Sequence, residues 1–189
     1  MEIALRREVI VNKQICRICM VFLSVIAISL GAFVRIPLPF TPVPITLQTF
    51  FVLLSAALIG RKLSIIAQGI YVFMGILGLP VFTGAASGLV YLFSPTAGYL
   101  IGFILASIFT TVSLKWLKQG YFSVMLVFCA SSVVILLSGS LWLKVSLGVS
   151  ITQALFMGFI PFIFGDLLKS QAASFVYLKL NKRVKEILY

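Results

Sequence analysis

The chain has 189 residues, 61% of them apolar and only 10% charged, with a mean hydropathy of +1.19. Soluble globular domains carry about 25% charged residues, so this composition excludes one and fits a single integral membrane domain, with room for about five to seven helices of about 20 residues each. The net charge of +11 does not point to nucleic acid, because the basic residues mark the ends of apolar segments instead of clustering on one face.

Residues 1–15 are polar and basic, and the first predicted span runs from about residue 18 to 34. The N-terminus does not read as a cleavable signal, since the first apolar run is too long and lacks a small-residue cleavage site. Ser24, Ala27 and Gly31 sit at helical spacing within this span. Such small residues let membrane helices approach closely, either within the chain or against a partner. Four prolines then fall in the eight residues 37–44. They cannot continue a helix and predict a stiff, extended loop, which would lose little entropy on closing over a ligand.

A second span over 45–59 opens with Thr46-Leu-Gln48-Thr49, and Arg61-Lys62 makes a basic turn before a third span over 63–77 that contains Gln68 and Tyr71. Gln48 and Gln68 have two readings, ligand contact or helix-to-helix hydrogen bonds. The stretch Gly78-Leu-Pro-Val-Phe-Thr-Gly-Ala-Ala-Ser-Gly88 has no charge, and its hydroxyls are Thr83 and Ser87. A loop this apolar should lie against the membrane or plug a cavity. Ser94 and Pro95 read as the cap and first turn of a fourth span over 99–114. A fifth span covers 121–140, with Tyr121 and Trp142 as interface anchors and Lys144 in the loop that follows. Residues 151–159 read as a short surface helix, and Pro161 opens a sixth span over 161–180.

The sequence thus predicts an all-α, single-domain, multi-pass cell-membrane protein of six transmembrane helices in residues 1–189. Six spans put both termini on one side. That side holds Arg6, Arg7, Lys13, Arg17, Arg61, Lys62, Lys115, Lys118, Lys179, Lys182, Arg183 and Lys185, against Arg35 and Lys144 on the other. Twelve against two predicts cytoplasmic termini by the positive-inside rule.

The head of the sixth span carries the chemistry. Asp166 is the only acid between Glu8 and Glu186, and Lys169, three residues on, is the only base this topology places inside the hydrocarbon. On a helix the two share a face. Each intramembrane charge costs roughly 2.5–3.5 kcal/mol on insertion scales, and such residues usually face an interior site. Asp166 would lie about 8 Å below the outer end of its helix, under the proline loop and the 78–98 and 141–160 loops. That is the layout of a capture site for an extracellular solute that is small, largely apolar and polar at a few points. The alternative is a buried salt bridge that braces the helix. No P-loop is present. The absence of histidine removes imidazole acid–base, His-metal and Ser-His-Asp chemistry, and one intramembrane acid is too few for a paired-carboxylate mechanism. Cys16, Cys19 and Cys129 lack further ligands for a metal site. Neither an enzyme nor a cofactor is expected.

The pieces Ile36-Pro-Leu-Pro, Thr41-Pro-Val-Pro-Ile-Thr-Leu-Gln-Thr49, Gly78-Leu-Pro-Val-Phe82, Pro95-Thr-Ala-Gly-Tyr-Leu-Ile-Gly-Phe103 and Gly165-Asp-Leu-Leu-Lys169 together resemble the BioY family, the biotin-binding S components of energy-coupling factor (ECF) transporters. The resemblance runs from about Ala27 to Ala173. It implies a six-helix subunit that captures biotin and hands it to an ECF transmembrane coupling subunit driven by two ABC-type ATPases. It implies that Asp166 and Lys169 hold polar groups of biotin, with Gln48, Thr83, Ser87 and Tyr91 as further ligand-binding candidates. First helices of such subunits carry an A-x-x-x-A docking motif, and Ala27-x-x-x-Gly31 stands at the matching place. The loop Thr83-Gly-Ala-Ala-Ser-Gly88 is less glycine-rich than the family pattern and has no basic or amide side chain. A solitary biotin facilitator working without the ATPases is the alternative function, and a membrane protein merely braced by the Asp–Lys pair is a third.

Overall fold

The computed structural model describes residues 13–117 and 120–188. Arg6, Arg7 and Lys118 of the charge count, and the chain ends of the predicted domain, lie outside the described residues. The elements in order are helix α1 (Lys13–Phe33), a two-residue ribbon of β1 (Arg35–Ile36) and β2 (Ile45–Thr46), and α2 (Gln48–Ile76). A 3-10 turn (Leu89–Phe93), α3 (Ala97–Trp116), α4 (Tyr121–Leu147), the short α5 (Ile151–Gly158), a second 3-10 turn (Ile160–Phe162) and α6 (Ile163–Leu188) follow. Five helical stretches among the described residues are long and apolar enough to cross a membrane: Lys13–Phe33, Gln48–Ile76, Ala97–Trp116, Tyr121–Leu147 and Ile151–Leu188.

The second stretch doubles back on itself. Gly60, at φ 80° and ψ 172°, breaks α2 with a backbone conformation that glycine adopts without a Cβ penalty. The side chains of Gln48 and Tyr71, 23 residues apart, meet at 2.7 Å. A continuous helix would hold them about 34 Å apart. Arg61 and Lys62 are exposed at the bend, where the sequence placed a basic turn.

The prolines of 37–44 deny the chain a helix, and the ribbon closes around them in antiparallel register, Arg35 opposite Thr46 and Ile36 opposite Ile45. The ribbon returns the chain onto α1, where the Leu47 amide donates to the carbonyls of Gly31 and Val34, 3.1 Å each. That approach needs glycine at 31. A Cβ there would lie 2.9 Å from the Phe51 ring and 3.0 Å from the Gln48 nitrogen.

Three expectations are corrected where the helices are joined. Helix α4 extends to Leu147 and is stopped by Gly148 in the left-handed region, so Lys144 is a helical residue whose exposed ammonium is carried out by its long stem. Pro95 and Ser94 precede α3 instead of opening it. The helix starts after Thr96 with no side-chain cap, and the Ser94 hydroxyl pairs with the Thr96 hydroxyl at 2.9 Å. Trp142 is half-buried, with its indole N–H donating to the Ser94 carbonyl at 2.9 Å and its ring over Gly98. It pins α4 to the start of α3. The expected short helix at 151 forms, closed by a capping box between Ser150 and Gln153.

α3 packs along α4, α1 along the first half of α2, and α6 against α2 and α4. The buried core is apolar, from Ile28, Leu53 and Ile59 through Phe128 and Ile135 to Tyr177. It is threaded by hydroxyl pairs such as Thr110–Ser131 at 2.7 Å. Most exposed residues of the long helices are large and apolar, including Phe22, Leu30, Phe73, Phe122 and Phe164, as a lipid-facing surface requires.

Candidate functional site

Helix α6 begins two residues after Pro161, and its fourth residue is Asp166, 3% exposed. Lys169, one turn on, forms an ion pair with Asp166 Oδ1. The same ammonium donates to the Thr46 carbonyl at 3.0 Å, and the Thr49 hydroxyl donates to Asp166 Oδ1 at 3.3 Å. The end of the proline ribbon and the start of α2 therefore hold the pair from one side. Asp166 Oδ2 is also buried, and it has no hydrogen-bond partner among the described residues. A buried carboxylate oxygen left without a donor is costly. A ligand N–H supplied from the cavity would remove that cost.

Asp166 and Lys169 form the floor of a cavity of about 490 Å³, counting its open mouth. Its apolar walls are Val43 and Pro44 from the ribbon loop, Leu100 and Phe103 from α3, Leu136 from α4, and Phe162. Its polar lining adds Thr46, Gln48, Thr49, Thr83, Tyr91, Thr96 and Tyr99.

These groups are linked across elements. The Gln48 side-chain amide donates to the Tyr71 hydroxyl, which donates to the Val81 carbonyl at 3.2 Å, while the Thr83 hydroxyl donates to Gln48 Oε1 at 3.1 Å. The Thr96 hydroxyl donates to Tyr91 at 2.9 Å, and Tyr99 donates to the Gly158 carbonyl at 2.7 Å. The 78–88 loop is seated by Phe82, whose fully buried ring stacks on Tyr91 at 4.3 Å between centroids and meets the edge of Tyr71 at 5.6 Å. The apolar loop thus plugs one end of the bundle, brings Thr83 to the cavity and braces Tyr91 of the 3-10 turn that follows.

The whole of this arrangement lies inside one matched region, since the sequence profile of the BioY family fits residues 6–186. The chain belongs to the BioY family. It is 37% identical over 155 residues to the biotin transporter BioY of Thermotoga maritima, covering 82% of this chain and 89% of that one. It is 34% identical over 164 residues to the probable biotin transporter BioY of Pyrococcus horikoshii, covering 87% and 95%. Its fold is similar to the crystal structure of the S-component for biotin from an ECF-type ABC transporter, with a TM-score of 0.85 at 25% identity over 90% of this chain and 93% of that one. Membership in this transport family makes the chain a multi-pass membrane protein and not an enzyme.

Five of the residues singled out from sequence converge on the cavity: Asp166, Lys169, Gln48, Thr83 and Tyr91. Ser87 does not. It is exposed and absent from the cavity wall, because the turn at 83–86 directs the chain away after the Phe82–Ala86 bridge. Gln68 takes the helix-to-helix role, bonding Ser107 of α3. Gly31 is buried against α2, and Ala27 is half-buried on the same helix. The cavity also uses Thr46, Thr49, Thr96 and Tyr99, which sequence reasoning did not assign to it. Thr46 and Thr49 flank Gln48, and that polar triplet at the mouth of an apolar span was the available signal.

Proposed function

We propose that this BioY-family chain is the biotin-capturing S component of an ECF-type transporter, taking up biotin from outside the cell for a coupling subunit and two ATPases. The observation that carries the reading is the buried Asp166 Oδ2, which lacks a donor on the floor of an apolar cavity. Biotin offers the complement: a ureido ring with two N–H donors and a carbonyl, and an apolar thiophane ring and chain. Asp166 accepts a ureido N–H, and Lys169 stands beside it as a donor. Gln48, Thr83 and Tyr91 line the path above. Names of relatives at 37% and 34% identity support the choice of biotin.

The reading includes six membrane crossings with cytoplasmic termini. The reversal at Gly60 supports two crossings within α2, and the twelve-to-two distribution of bases supports the orientation. The cavity then opens outward beneath the proline ribbon and the 78–88 loop. The coupling subunit docks on the exposed side of α1 near Ala27, and Gly31 acts indirectly by letting α1 lie close to α2.

Reconstitution tests the transport role. Liposomes containing this chain with its coupling subunit and ATPases should accumulate radiolabelled biotin only when ATP is present. Equilibration of biotin by the chain alone, at the same rate, would replace this reading with that of a facilitator.

A further inference from the structure

A second cavity of about 660 Å³, counting its opening, lies above the first and shares Pro44, Thr83, Tyr91 and Thr96 with it. Arg35 of β1 lines this outer cavity and the inner one does not include it. We propose that the outer cavity is a carboxylate subsite, with the Arg35 guanidinium as the group that receives the acid tail of the ligand. The proposal rests on the biotin reading and adds an orientation and a selectivity to it.

Charge is divided between the two cavities along a single path. In the inner cavity Lys169 is already paired with Asp166 and bonded to the Thr46 carbonyl. The floor is therefore neutral as a unit and suits a neutral polar head. An anion placed there would face a buried carboxylate. Arg35 has no ion pair or side-chain hydrogen bond among the described residues, so its charge is free for a carboxylate. Lys144, the other base on the outer side, is in α4 and lines neither cavity.

Arg35 is also held in place. It leaves the ribbon paired to Thr46, beside a loop stiffened by prolines, and its guanidinium lies against Gly84, where a side chain would collide with it. The loop it touches has no base or amide of its own. Arg35 reaches across to supply the charge, and the Tyr91 hydroxyl in the same cavity, which accepts from Thr96 and keeps its own proton, is an additional donor.

The test compares biotin with its neutral primary amide, using wild type, Arg35→Gln and Arg35→Lys in detergent, with folding checked by gel filtration and circular dichroism. Wild type should bind the acid about tenfold more tightly than the amide, as a charge-assisted hydrogen bond at an exposed arginine warrants. Added salt should narrow that gap. Arg35→Gln should bind the acid as weakly as wild type binds the amide and should leave amide binding unchanged, and Arg35→Lys should retain part of the preference. Equal affinity of wild type for acid and amide would overturn the subsite alone, as would an equal loss for both in Arg35→Gln. Wild type that binds neither would remove the biotin reading and the subsite with it.

Discussion

Replacing Phe82 with alanine should loosen the loop that closes the cavity without unfolding the bundle. The ring is fully buried, stacked on Tyr91 and set edge-on to Tyr71, and it fills the space over Gly75 where a Cβ would overlap it. Removing a buried phenylalanine costs roughly 3–5 kcal/mol in a core. The low end applies here, because a loop at the end of a bundle can collapse into the gap. Other ties persist, including the Gly88 amide to the Gly75 carbonyl at 2.7 Å and Tyr71 to the Val81 carbonyl, so the loss falls on loop docking. At about 1.4 kcal/mol per factor of ten, about 3 kcal/mol lowers the docked-to-undocked ratio by about 100-fold. Thr83 travels with the loop and Tyr91 loses its stacking partner, so biotin affinity should fall by about 10- to 100-fold, mainly through faster dissociation. Stopped-flow release and calorimetry measure this, and hydrogen exchange over residues 79–88 should rise in parallel. Accelerated exchange with unchanged biotin affinity would refute the view that the docked loop holds the ligand. Gly75→Leu, which evicts the same ring from the other side, should reproduce the effect.

Lys169→Met leaves Asp166 charged, buried and unpaired, and should lower stability by roughly 3–5 kcal/mol; the double variant with Asp166→Asn should regain most of it in thermal unfolding while still failing to bind biotin. Tyr99→Phe removes the donor to the Gly158 carbonyl and should cost about 1–3 kcal/mol, read as a melting temperature lower by several degrees. Ala27→Trp should leave biotin binding by the isolated chain intact and abolish ATP-dependent uptake in the reconstituted complex. Retained uptake would move the docking surface off this part of α1.

The charged pair was legible because a lone acid and a lone base in an apolar span have few reasons to be there. The proline ribbon and the basic turn at Arg61 were legible because proline and clustered charge each forbid a helix from continuing through the membrane. The partners of Asp166 were not. A threonine in an apolar helix commonly bonds its own backbone, as Thr111 does to the Ser107 carbonyl at 2.8 Å, and nothing local distinguishes Thr49, whose hydroxyl instead reaches 117 positions along the chain to Asp166. Lys144 shortened the predicted fifth span because a lysine reads as an end, whereas its stem runs along the helix and carries the charge outward. Gly31 read equally as a docking or a packing residue. Only the approach of Phe51 and Gln48 shows which neighbour its missing side chain accommodates.

The central claim is that the unpartnered carboxylate oxygen of Asp166 receives a biotin N–H. Its most direct test is calorimetric titration of biotin into the purified, detergent-solubilised wild type and Asp166→Asn, both shown to be folded and monodisperse. Wild type should bind saturably and the variant should not bind. Equal affinity in the two proteins would contradict the claim and move the polar end of the site away from helix α6.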